Sequence, residues 1–333
     1  MPESDSAYDA LLIVSFGGPE GPDDVLPFLE RVTRGKNVPR ERLEIVAAHY
    51  HAVGGKSPIN EQARAFVDAL GAELRANDID LPIYLGNRNS PPYLEDALRQ
   101  MRQDGRTRAL AFVMSTFSSY SGCRQYLENI EEARTVLGEG APEVHKLRSH
   151  FNHPGFIEAM SDRVEEALSK LPSHLRKGAR IAFTAHSIPV EMAESSSYVA
   201  QLEEASTLVA ERVQHKEWQL VYQSRSGSPR VPWLEPDIID HLEALAAIGT
   251  EAVVVVPIGF LSDHMEVVWD LDREAKLKAV ALELEMVRAK TVGTHPAFVA
   301  AICELITERL GGAPSRRVLG TLGAALDTCA PGC

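Results

Sequence analysis

The chain has no long apolar run, no basic cluster and few cysteines. None of its apolar stretches approaches the roughly 20 residues that span a bilayer, so stable membrane insertion is not expected. The formal net charge is −13 over 333 residues. No block of Lys and Arg offsets it, which argues against nucleic acid as a partner. The opening residues MPESDSAYDA lack the basic and apolar pattern of a secretory leader, and a cytoplasmic location is expected. Four cysteines, Cys123, Cys303, Cys329 and Cys333, do not make a disulfide framework in a reducing compartment. Metal binding or plain burial must explain them.

What is present is ordinary globular material, 44% hydrophobic and 24% charged, enough for two buried cores. Apolar, β-branched runs at Ala10–Phe16, Leu81–Leu85, Arg108–Met114, Arg180–Thr184, Gln219–Gln223 and the valines from Ala252 read as buried strands. Amphipathic helical patterns separate them, and this alternation predicts parallel sheets. The halves resemble each other: ALLIVSFGGP pairs with RIAFTAHSIP, and RALAFVMSTFSS with AVVVVPIGFLSD. The expected organisation is an α/β lobe over 1–153, a second over 154–311, and a cysteine-bearing tail over 312–333. The lobes are expected to face each other across a cleft lined by loops at the strand ends. No interface patch is legible, and a monomer is expected.

The segment AVVVVPIGFLSDHMEVVWDLDREAK carries the strongest chemical signal. A buried strand is closed by Pro257 and Gly259 and leads into a helical pattern crowded with carboxylates. Glu266, Asp270 and Glu274 follow at intervals of four, which places them on one ridge of a helix. A row of carboxylates repels itself unless it binds a cation, moves protons or faces water. His186 closes the strand Arg180–Thr184 at the corresponding place. An imidazole near neutral pKa either takes a proton or ligates a metal, and a partly buried glutamate serves as a second proton group. The repeat comparison places the two on opposite walls of the cleft.

Other polar groups are less specific. Ser57, in GGKSPIN, and Tyr126 offer hydroxyls. Arg88, Arg124 and Arg225 lie on the same side and suit acidic substrate groups or neutralise nearby carboxylates. His49 and His51 do not share a face. Cys329 and Cys333 form a C-x₃-C pair, two thiols where an iron–sulfur cluster needs about four; Cys123 offers a third, and Cys303 reads as a core residue.

Together the segments SFGGPEGPDDVLPFL, GGKSPIN, FTAHSIP, YQSRSG, PWLEPD and PIGFLSDHMEVVWDLD resemble the ferrochelatase family, in order from Leu11 to about Asp272. The resemblance implies two Rossmann-like lobes, each a parallel sheet flanked by helices, facing each other across a porphyrin cleft. It implies insertion of ferrous iron into a porphyrin, with no organic cofactor. By the same resemblance His186 and Glu266 bind metal and remove pyrrole protons. Ser57 and Tyr126 contact the porphyrin's acid side chains, and Asp270 and Glu274 form a metal-delivery or proton-exit ridge. The sequence looks most like the Gram-positive branch associated with coproporphyrin III and its product coproheme, with protoporphyrin IX as the alternative substrate. Phe16 stands where some coproporphyrin enzymes carry a tyrosine, and Thr33 and His49 where arginines anchor propionates. Several relatives hold a [2Fe–2S] cluster on one internal and three tail cysteines, which Cys123, Cys329 and Cys333 match in part. A later enzyme of haem synthesis is an expected transient partner. A non-catalytic two-lobed metal- or haem-binding protein is the reading from a different class.

Overall fold

The computed structural model describes residues 7–227, 230–311 and 315–327. They form two compact units. One contains residues up to Met114, Gln125–Leu147 and the described residues between Ile302 and Ser315. The other contains Ser115–Arg124, Arg148–Ala301 and the chain from Arg316.

The first unit is built on four parallel strands: β1 (Ala10–Ser15), β2 (Ile83–Asn87), β3 (Arg108–Val113) and β4 (Glu143–Lys146), in the order β2-β1-β3-β4. All six residues of β1 are buried. Ala10, Leu12 and Val14 pack with Leu98, Met101, Ile130 and Ala133 of helices Leu94–Gln103 and Gln125–Leu137. Because successive side chains of a strand alternate faces, Leu11 and Ile13 point to the opposite side. A central strand covered on both faces must be apolar at every position, which is why the run reads as unbroken hydrophobicity. Each such aliphatic side chain contributes about 1.5–3 kcal/mol on burial.

The second unit repeats the plan. Strands β5 (Arg180–His186), β6 (Trp218–Gln223), β7 (Ala252–Val256) and β8 (Glu285–Arg288) run parallel in the order β6-β5-β7-β8. Its core joins Val253 and Val255 to Leu242, Leu245, Val267, Leu271, Ala275 and Ala279.

Two strands were not expected from the sequence. β4 (EVHK) and β8 (EMVR) each close one end of a sheet. Edge strands are half-covered and carry charge, so they lack the apolar run by which the inner strands are recognised. β5 also runs to His186 instead of stopping at Thr184.

Candidate functional site

The site is assembled at the carboxyl edge of the second sheet, the edge at which open α/β sheets place their ligands. β5 and β7 are hydrogen-bonded neighbours, with Ile181 beside Val254 and Phe183 beside Val256. His186 ends β5, and Glu266 lies in helix Met265–Trp269, which follows β7. Nε2 of His186 stands 3.2 Å from Oε1 of Glu266. Opposite walls of an interlobe cleft are therefore not where these groups sit: both belong to the second unit. The repeat comparison misplaced them because it matched Glu266 to the wrong half, although β7 and β5 adjoin in one sheet.

Several neighbours hold the pair in place. His186 Nδ1–H donates to the Ser187 carbonyl at 2.5 Å, which turns Nε2 toward Glu266. The Tyr198 hydroxyl donates to the His186 carbonyl at 3.0 Å. Gln223, fully buried beside His186 on β6, donates from Nε2 to the Glu266 carbonyl at 2.7 Å. His264 caps the helix, its Nδ1 accepting the Glu266 N–H at 3.2 Å, and its ring meets Phe260 edge-on. Ring and carboxylate keep 30% and 40% of their surface exposed, so the pair is held from behind and reachable from in front.

The electrostatics follow from this packing. Burial opposes the charge on His186, but Glu266, the Ser187 carbonyl and Asp270 outweigh it and raise its pKa. Burial likewise works against the Glu266 carboxylate, and the facing imidazole overrides it, lowering its pKa. The pair rests as imidazolium and carboxylate. His264 goes the other way: burial and the neighbouring His186 outweigh its carboxylates and lower its pKa, keeping it neutral as the helix cap requires.

The acidic stretch that follows Glu266 has an unforeseen geometry. After Trp269 the chain widens into a π-helical stretch, Asp270–Ala275, before resuming as Lys276–Ala281. A turn closed by i→i+5 bonds takes in more residues than the 3.6 of an α-helix. Across the α and π turns together, residues four apart therefore drift less than in a plain α-helix. Two ridges result. Val267, Leu271, Ala275 and Ala279 are buried, and Glu266, Asp270 and Glu274 run beside them. Burial, with Glu266 and Glu274 nearby, pushes Asp270 up to about 7 against the hydrogen bond from the Ser224 hydroxyl. Ser224 adopts φ 64°, a left-handed conformation rare for a residue with a side chain. Glu274 accepts from the Trp269 indole at 2.8 Å. Asp263 and Asp272 stand apart from the ridge because Arg288 takes both, at 3.1 Å and in a two-pronged contact of 2.5 and 2.9 Å.

The remaining candidates lie elsewhere. Ser57 is 2% exposed in the first unit, packed against Gly18, where a Cβ would come within 2.6 Å of it. Tyr126 is 5% exposed, with the Arg88 guanidinium 4.5 Å from its ring centre. Cys123 is half-buried in the π-helical turn Tyr120–Arg124. Cys303 is buried, and burial with Glu73 and Glu304 pushes its thiol up to about 11, which disfavours the thiolate a metal needs. Cys329 and Cys333 lie outside the described residues. The described residues thus supply one suitable thiol, Cys123, short of the four or so that a cluster takes. No three His, Cys, Asp or Glu side chains among them converge as a metal cage.

Sequence reasoning missed Tyr198, Gln223, Ser224 and Arg288. For Gln223 and Ser224 a signal existed, since both fall in YQSRSG at the end of a strand. Tyr198 and Arg288 act through contacts distant in sequence, which leave no local pattern.

Comparison with known proteins completes the description. The family model described as Ferrochelatase matches residues 8–310. A coproporphyrin III ferrochelatase of Streptomyces coelicolor is 52% identical, covering 98% of this chain and 93% of that one. A ferrochelatase of Rhodopirellula baltica is 54% identical with the same coverage. A coproporphyrin III ferrochelatase of Mycolicibacterium smegmatis is 48% identical over 98% of this chain and 99% of its own. Among solved structures, SirB from Bacillus subtilis with Fe³⁺ matches at 14% identity and TM-score 0.57, covering 91% of this chain and 98% of that one, and a sirohydrochlorin chelatase SirB from Bacillus subtilis subspecies spizizenii matches at 13% identity and TM-score 0.55. At that identity the likeness speaks for the two-lobed chelatase fold alone.

Proposed function

This chain belongs to the ferrochelatase family, and from that premise we propose that it inserts ferrous iron into coproporphyrin III, giving Fe-coproporphyrin III. The observation that carries the proposal is the His186–Glu266 pair at a sheet's carboxyl edge, continued outward by Asp270 and Glu274. The names of relatives at about half identity support the porphyrin.

The reaction is a metal-for-proton exchange: one Fe²⁺ enters and two pyrrole N–H protons leave, with no change of oxidation state. At rest His186 holds a proton against Glu266. A dication approaching along the ridge displaces that proton, because imidazole binds metal only when neutral. Glu266 then faces the metal as a carboxylate and the pyrrole N–H groups as a base. Asp270, balanced near neutrality, accepts and releases protons with little cost in either direction. Glu274, exposed at the outer end, passes them to solvent and meets incoming iron. A rigid, back-supported pair suits a bent macrocycle, whose nitrogen lone pair points out of plane and which lies closer to the transition state than the flat ring. In this reading Ser57 and Tyr126 belong to the region that meets the porphyrin's acid side chains.

The same reading makes the protein a cytoplasmic monomer that hands its product to a later haem-synthesis enzyme. No helix among the described residues is long and apolar enough to cross a membrane. A [2Fe–2S] cluster on Cys123, Cys329 and Cys333 is a separate proposal resting on the resemblance, and no catalytic step passes through it. Equimolar iron and acid-labile sulfide in protein purified without oxygen, lost in Cys123→Ser and retained in Cys303→Ser, would support it.

The deciding experiment is anaerobic iron insertion followed by the porphyrin's visible bands, with coproporphyrin III and protoporphyrin IX side by side. Faster turnover of coproporphyrin III, abolished in His186→Ala, is expected. Preference for protoporphyrin IX would overturn the substrate, and porphyrin binding without insertion would overturn the enzyme.

A further inference from the structure

We propose that Arg88 is the anchor for a carboxylate of the porphyrin. This rests on the porphyrin reading above and deepens it. Arg88 follows β2 directly, at the carboxyl edge of the first unit's sheet, next to Phe16, which follows β1. Its backbone is pinned on both sides: its N–H donates to the Ser15 carbonyl at 3.0 Å, and its carbonyl accepts from Arg31 Nε at 3.4 Å.

The side chain is aimed with equal care. Nε donates to Asn129 Oδ1 at 2.7 Å, and the other face of that amide donates to Glu132 at 3.0 Å. The amide orientation is thereby fixed with its oxygen toward Arg88. The guanidinium lies over Tyr126 at 4.5 Å and Phe16 at 5.6 Å, within cation–π reach. Among the described residues, its terminal nitrogens make no hydrogen bond and no ion pair. In a chain of net charge −13, a half-buried arginine without a carboxylate is unusual. Arg225, the other strand-end arginine singled out from the sequence, has Glu235 at 3.9 Å.

The chemistry left open on Arg88 is a planar fork of N–H donors, already oriented and flanked by two aromatic rings. Such a fork fits a carboxylate two-pronged, and the rings suit the edge of a flat macrocycle. Arg31 stands behind it, stacked on Tyr93 at 4.0 Å and likewise without an acidic partner among the described residues, which raises the local positive potential.

The test measures porphyrin binding by fluorescence, independently of iron insertion. Wild type, Arg88→Ala, Arg88→Met and Arg88→Lys are titrated with coproporphyrin III and with its tetramethyl ester, both in the same neutral detergent. A hydrogen-bonded charge pair predicts about a tenfold to hundredfold weaker affinity for the acid in the Ala and Met variants. Lys, which keeps the charge and loses the fork, should fall between, and all four proteins should bind the ester alike. Met keeps the stem over the rings, so a fault in folding caused by Ala alone is recognised. Equal weakening toward acid and ester would overturn the proposal in favour of packing, and unchanged affinity for the acid would overturn it outright. Failure of wild type to insert iron would count against the function above while leaving this comparison readable.

Discussion

Nε2 of His186 and Oε1 of Glu266 face each other at 3.2 Å across the ends of two adjacent strands of one sheet. Each holds the other in its charged form. Replacing Glu266 by Gln removes the main support of the imidazolium and leaves burial, which opposes it. The imidazole NMR titration of His186 should then move to lower pH. An unchanged midpoint would mean that the pair is not coupled.

The pair also fixes a pH window. The folded His186 pKa is raised, so its contribution to stability is fully present below the unfolded value near 6.5 and fades as pH rises through the folded one. The folded Glu266 pKa is lowered, so its contribution is present above its unfolded value near 4.5 and fades as pH falls. The wild-type advantage over a His186→Ala, Glu266→Ala double variant should therefore be greatest between about pH 4.5 and 6.5. Thermal unfolding across pH reads this directly.

Asp270 has the opposite sign from an ordinary carboxylate. With its pKa up at about 7, its folded form is favoured while protonated, and that advantage is lost as pH rises from about 4 through 7. Asp270→Asn stays neutral and can still accept from Ser224. It should melt higher than wild type at pH 8, match it at pH 4, and insert iron more slowly at both. A lower melting point at pH 8 would refute the strained carboxylate.

Arg288 ties the wide turn to β8 through Asp272, and the loop after β7 through Asp263. Arg288→Met keeps the stem and removes the cation from between two carboxylates. The expected loss is about 2–3 kcal/mol in urea unfolding, below the range for fully buried pairs because Asp272 is partly exposed. A loss under about 0.5 kcal/mol would class the pair with ordinary surface bridges.

Gly259 donates to the Thr184 carbonyl at 3.0 Å, and a Cβ there would lie 2.8 Å from both Cα and Cβ of Ala185. Gly259→Ala should push the end of β5 outward, costing about 1–3 kcal/mol and displacing His186. A fall in kcat greater than the fall in stability explains, with porphyrin affinity retained, would mark a displaced base.

Much of this arrangement was legible in the sequence. The internal resemblance of the halves correctly foretold two sheets of one topology: β1 matches β5 and β3 matches β7, and β1 adjoins β3 as β5 adjoins β7. The same resemblance misleads about His186 and Glu266, because β5 and β7, which carry them, are neighbours in one sheet and not counterparts in two. Acidic spacing marked the ridge, whereas its alignment depends on hydrogen bonding that no side-chain pattern reports. Ser57 and Tyr126 carry no pattern that tells their depth: Ser57 packs against Gly18, and Tyr126 lies under the Arg88 guanidinium.

The wide turn at Asp270–Ala275 has one more consequence. Where a plain helix would let residues four apart spiral about 40° per step around its axis, this one works as a phase corrector, keeping an acidic file and an oily file side by side. Deleting a single residue from it would restore the ordinary α pitch and leave the side chains beyond close to their present faces. Glu274, then seven places after Glu266 instead of eight, would lie about 20° from the file, against about 80° for eight places in an unbroken α-helix. The wide turn thus takes up one residue more than an α-helix would hold in register, and a one-residue gap there would be borne better than a further insertion.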